Sequence, residues 1–184
     1  MIRSFQGVPI VGVAAWSGTG KTTLLSRLIP LLRQEGIRCA VVKHAHHSFE
    51  IDYPGKDSHA FRRAGAEQVL VGSARRWALI VETEPDSDES LGAFLPHLQT
   101  DTLDLIIVEG FKPEMLPKIE LYRPVLGKPP LNPGEGSIIA VATDAPEQVD
   151  TSLPVLDIND AAQIGQFIIA TVLPAAREEM TGEP

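Results

Sequence analysis

Ala15-Trp16-Ser17-Gly18-Thr19-Gly20-Lys21-Thr22, lying between a short apolar run and a leucine repeat of helical period, decides the fold of this 184-residue chain. The pattern G-x-x-x-x-G-K-[ST] builds a loop whose backbone N–H groups wrap phosphates, whose lysine reaches the β and γ groups and whose hydroxyl meets Mg²⁺. Ala15 stands where that pattern has its first glycine, and alanine serves there so long as its φ is negative. Gly18 and Gly20 remain for close backbone approach. Upstream, Val8, Ile10, Val11 and Val13 make the nearly continuous apolar run of a strand buried on both faces. Downstream, Leu24, Leu25, Leu28, Leu31 and Leu32 recur at helical spacing until Gly36, a helix stop. The loop therefore opens a helix, whose N-terminal N–H groups and dipole add to the anion site. Pro30 lies inside that helix, and its missing N–H predicts a kink.

Working outward, residues 37–43 are apolar and of strand length, so strand, helix and strand read as a right-handed βαβ unit of a parallel sheet. The polar, histidine-rich stretch 44–55 ends in the Pro54-Gly55 turn, after which Asp57 or Ser58 caps a helix to about Ala64. Residues 68–71 and 77–81 read as a hairpin-type addition, followed by an acidic, solvated run over 82–89 and a helix ending near Leu98. Residues 105–108 and 138–141 are buried strands, 155–158 is a shorter one, and the Pro/Gly-rich stretch 123–136 is a long loop. Asn159 or Asp160 caps a last helix to about Val172. The expected fold is α/β and P-loop NTPase-like, a mainly parallel sheet flanked by helices with a β-hairpin-type addition. One nucleotide-binding domain is expected over residues 1–174, with a flexible tail over 175–184.

Composition narrows the function classes. A formal net charge of −8 argues against broad attraction to nucleic acid or an anionic membrane, so any polyphosphate must be held by a local site. No apolar stretch reaches the length of a membrane span, and the run 8–16, lacking a basic leader, reads as a strand and not a signal peptide. Cys39 is the single cysteine, which fits a reducing cytoplasm and a small apolar residue within a strand.

Glu109, directly after the strand 105–108, holds the position where phosphate-loop proteins keep an acid that supports Mg²⁺. Asp104, at the other end of that strand, is expected to point away from the nucleotide. Asp144 follows a late strand, where an aspartate is placed to accept from the N1–H and N2–H₂ edge of guanine. The Asn-Lys-x-Asp guanine signature is absent, so the residues alone leave guanine and adenine open. The expected assignments are catalytic roles for Lys21 and Glu109, nucleotide contacts from Ser17, Gly18, Thr19, Gly20, Lys21, Thr22, Thr23 and Asp144, and Mg²⁺ on Thr22 and Glu109.

Residues 14–24, Lys43-His44-Ala45-His46-His47, residues 52–58, Arg76-Trp77-Ala78-Leu79, residues 104–112 and residues 156–160 form an ordered set. That set resembles the molybdopterin-guanine dinucleotide biosynthesis protein B (MobB) family, in which alanine at the position of Ala15 is usual. The resemblance implies a dimeric, cytoplasmic GTP-binding protein with weak GTPase activity. It implies assistance to the nucleotidyltransferase MobA, which joins GMP to molybdopterin, with molybdopterin itself a candidate ligand. No residue stands out as a fast general base or a cis arginine finger, which agrees with slow hydrolysis. Two other readings compete: a small-molecule kinase of the same fold, and a GTP-dependent metallochaperone using His44, His46 and His47.

Overall fold

The computed structural model describes residues 1–45, 49–84, 87–131 and 136–181, the last six by backbone alone. The chain divides into two units, Met1–His44 with Ser90–Pro184, and Ala45–Glu89. In the first, β1 (Ser4–Phe5) pairs antiparallel with β2 (Val8–Ala15), and α1 (Lys21–Gln34) and β3 (Cys39–Lys43) follow. The second holds α2 (Asp57–Arg63), β4 (Gln68–Gly72) and β5 (Trp77–Val81). The first resumes with α3 (Leu91–Phe94), β6 (Leu105–Glu109), β7 (Lys118–Tyr122), β8 (Ile138–Thr143), β9 (Val155–Asp157) and α4 (Ala161–Thr181).

The main sheet runs β3-β6-β2-β7-β8-β9, every neighbouring pair parallel. This is the expected α/β sheet with flanking helices, and β4 and β5 form the expected antiparallel hairpin. All eight residues of β2 are buried, as a central strand covered on both faces requires. Its side chains alternate: Val11, Val13 and Ala15 join Leu25, Leu28 and Leu32 of α1 and Ile164 and Ile168 of α4. Val8 and Ile10 join Leu91, Leu95, Ile106 and Leu116 on the other face. Helix α1 continues unbroken past the exposed Pro30. It ends in paired bonds, Gly36 N–H to the Arg33 carbonyl at 3.1 Å and Ile37 N–H to the Leu32 carbonyl at 2.9 Å, which satisfy its last acceptors.

Three features depart from the sequence reading. The strands before and after α1 are not neighbours, because β6 inserts between β2 and β3. Strand β7 has no counterpart among the expectations, because Lys118 and Glu120 interrupt its apolar run although they are only 4% and 1% exposed. Helix α4 runs from Ala161 to Thr181, beyond the stop expected near Val172.

Candidate nucleotide site

Parallel strands end on one edge, and open α/β sheets bind ligands outside those carboxyl ends. Taken in sheet order, that edge carries Lys43, Glu109, the loop after Ala15, Arg123, Asp144 and Asn159. Residues far apart in sequence thus form one row.

The loop has the backbone that phosphate binding needs. Gly20, directly before α1, has a φ of 103°, and Gly18 one of 82°, a region L side chains rarely enter. A Cβ at either would meet no atom within 4 Å, so the concave face is open. Thr19 is turned inward, its hydroxyl donating to the Trp16 carbonyl at 2.8 Å. Ser17, Thr22 and Thr23 are exposed at the loop and first helical turn. Lys21 Nζ lies over the loop, 3.4 Å from the Ala15 carbonyl and 3.3 Å from that of Trp16. Partial burial lowers its pKa, Glu109 opposes that shift, and Lys112 and Lys43 reinforce it. The ammonium groups of Lys21, Lys43 and Lys112 therefore share one neighbourhood with the Glu109 carboxylate, in a protein whose overall charge is −8.

Glu109 is held from two sides. Lys43 Nζ stands 3.4 Å from its Oε2, and its carbonyl accepts from His44 N–H at 2.9 Å. Gly110 follows with a φ of +94°, and a Cβ there would come within 2.8 Å of His44 Cβ. Glycine lets β6 turn against His44, whose ring lies 5.0 Å from that of Phe111. Asp104, at the far end of β6, pairs with Arg38 at 2.8 Å, as its opposite position predicts.

The Pro/Gly-rich loop lies against the phosphate loop. Trp16 Nε1–H donates to the Pro129 carbonyl at 2.7 Å, and Lys112 Nζ sits 4.4 Å from the Trp16 ring centroid. Leu131 N–H donates to Glu120 Oε1 at 2.6 Å. Burial raises the Glu120 pKa, and the Leu131 N–H offsets part of that shift. Residues 132–135 of this loop lie outside the described residues.

Arg123, read from sequence only as the start of a loop, ties the row together. Its Nε–H donates to the Thr19 carbonyl at 3.1 Å, one terminal nitrogen pairs with Asp144, and the other donates to Asn159 Oδ1 at 3.0 Å. A single arginine at a strand exit carries no sequence signal for this.

His46 and His47 lie outside the described residues, while His44 packs on Phe111. No group of three or more His, Cys, Asp or Glu side chains among the described residues is arranged to hold a metal ion. In the second unit, the Arg62 side chain is 12% exposed and pairs with Asp52 at 2.8 Å, Glu82 at 2.7 Å and Glu50. No helix among the described residues is long and apolar enough to cross a membrane.

The sequence profile of MobB, molybdopterin guanine dinucleotide synthesis protein B, matches residues 10–144. The chain is 46% identical over 163 residues to the molybdopterin-guanine dinucleotide biosynthesis adapter protein of Escherichia coli K12, spanning 88% of this chain and 92% of that one. It is 42% identical to the adapter protein of the same description from Haemophilus influenzae, with 88% of each chain covered. A crystal structure of molybdopterin-guanine biosynthesis protein B superposes with a TM-score of 0.66 at 25% identity, covering 88% of this chain and 98% of that one.

Proposed function

The chain belongs to the molybdopterin guanine dinucleotide synthesis protein B family, and from that premise we propose a Mg²⁺-dependent GTP-binding adapter that assists MobA in making molybdopterin guanine dinucleotide. The observation that carries the nucleotide reading is the open cradle of Gly18 and Gly20 faced by Lys21, with Lys43 and Lys112 adding positive charge. A polyanion such as a triphosphate suits that donor set. Lys21 and the amides of residues 17–23 hold the phosphates, Thr22 and Glu109 hold Mg²⁺, and Asp144 faces the base.

Mg²⁺, when bound, neutralises phosphate charge and polarises the γ-phosphoryl oxygens. Lys21 supplies a fixed positive charge at the same end. Glu109 is shared with Lys43 at 3.4 Å, so it orients and balances charge. Arg123 is committed to Thr19, Asp144 and Asn159, and is held away from an arginine finger's task. Slow GTP hydrolysis follows, which suits an adapter whose nucleotide state matters more than turnover. Cys39, half-buried and with its thiol pushed up to about 11 by burial, stays a thiol in the cytoplasm we assign. A homodimer completes the proposal, supported by an apolar face of the second unit.

The test is isothermal titration with GTP, ATP and non-hydrolysable analogues in Mg²⁺. A GTP preference that is lost in Asp144→Ala supports the reading. An ATP preference would replace it with the kinase reading.

A further inference from the structure

Arg123 presents its two terminal nitrogens to the Asp144 carboxylate and to Asn159 Oδ1. Because both partners sit on one planar fork, the carboxylate and the amide lie side by side at the exits of β8 and β9. A guanidinium carries only donors, so the amide facing it must turn its oxygen inward. The Asn159 Nδ2–H₂ group then points away from Arg123, while Asp144, bonded through Oδ2, keeps Oδ1 for another donor. Both residues are exposed.

We infer that Asn159 is a specificity-determining residue which donates to the O6 acceptor of guanine beside Asp144, with Arg123 as the positioning residue for both. The inference rests on the guanine reading above. Guanine presents an acceptor, O6, next to a donor, N1–H. Adenine presents a donor, N6–H₂, next to an acceptor, N1. An amide donor beside a carboxylate acceptor matches guanine at both positions and opposes adenine at both. Without the fork, Asn159 could rotate to offer its oxygen and the discrimination would fall. The same guanidinium holds the Thr19 carbonyl at 3.1 Å, so the base end and the phosphate end share one anchor.

Titration of the full chain with GTP and with ATP in Mg²⁺, beside thermal melting, tests this. Asn159→Ala is expected to weaken GTP about tenfold, the loss of one hydrogen bond, and to leave ATP binding no weaker. Asn159→Asp keeps an oxygen for Arg123 but replaces the donor by an acceptor, and is expected to lower the GTP-to-ATP ratio more than Asn159→Ala does. Arg123→Lys, which keeps the charge without the fork, is expected to lower the ratio as well. A wild-type ratio in all three variants, each melting as a folded protein, would overturn the assignment. A wild type with no GTP preference would remove the guanine reading itself.

Discussion

Lys43 Nζ lies 3.4 Å from Glu109 Oε2, across the register that sets Lys43 opposite Glu109 on β3 and β6. The carboxylate proposed for Mg²⁺ therefore has a competing cation already on it. Removing that cation frees the carboxylate, and neutralising the carboxylate removes the metal's support. Glu109→Gln is expected to raise the Mg²⁺ concentration for half-maximal GTP binding about tenfold, consistent with losing one charge-assisted contact. Lys43→Met is expected to shift that concentration the other way. Titrating Mg²⁺ at fixed GTP reads both, and an unmoved midpoint in Glu109→Gln would sink the metal assignment.

Lys21, proposed to hold phosphate, sits where burial works against its charge. Burial lowers its pKa, so between the folded pKa and the ordinary lysine value the unfolded chain binds more protons than the folded one. Stability from this group therefore rises with pH through that window, and at neutral pH the charged ammonium is a burden. Lys21→Met is expected to melt no lower than the wild type at pH 7 and to lose nucleotide binding by at least about 100-fold. Calorimetric melting and titration of the same sample measure both. A variant that melts markedly lower would show that the ammonium supports the loop.

Glu120 reverses the sign. Burial raises its pKa, so below its unfolded value the group imposes no penalty, and stability falls as pH rises through the folded pKa. Glu120→Gln keeps an acceptor for Leu131 N–H and removes the buried charge. Its melting temperature is expected to exceed that of the wild type at pH 7 by about 2–4 °C, and the gain should shrink as pH falls and the wild-type carboxyl takes up its proton. A gain independent of pH would point to packing instead.

The legible part of this protein is the part written in contiguous residues. The phosphate loop and β2 announce themselves because glycine, lysine and an apolar run must adjoin, and Asp104 and Glu109 are distinguished by which end of one strand they occupy. Arg123 was not legible, since its partners Thr19, Asp144 and Asn159 meet only when sheet order brings three loops together. Strand β7 was hidden for a related reason: Lys118 and Glu120 read as surface residues until Lys112, Glu114 and Leu131 are seen bonding them. The pairing of Arg62 carries no sequence signal either, because its carboxylates come from the flanking segments, at Glu50, Asp52 and Glu82.

The hairpin of the second unit carries the last prediction. Its register sets Leu70 opposite Leu79, Gln68 opposite Val81 and Gly72 opposite Trp77, and directly opposed residues share a face. On that face Leu70 is 67% exposed, Trp77 54%, Val81 42% and Leu79 41%. A two-stranded hairpin is marginal alone, and the exposed cluster of Leu70, Trp77, Leu79 and Val81 is the surface we propose for association. A second copy of the chain is the occupant we expect, because it brings the same apolar face to a self-complementary two-fold contact. Sedimentation velocity is then expected to show a dimer for the wild type and a monomer for the double variant Leu70→Asp, Leu79→Asp. GTP binding should persist in that variant if the two functions are separable. A variant that still sediments as a dimer would move the interface elsewhere, and a monomeric wild type would remove the homodimer from the proposal.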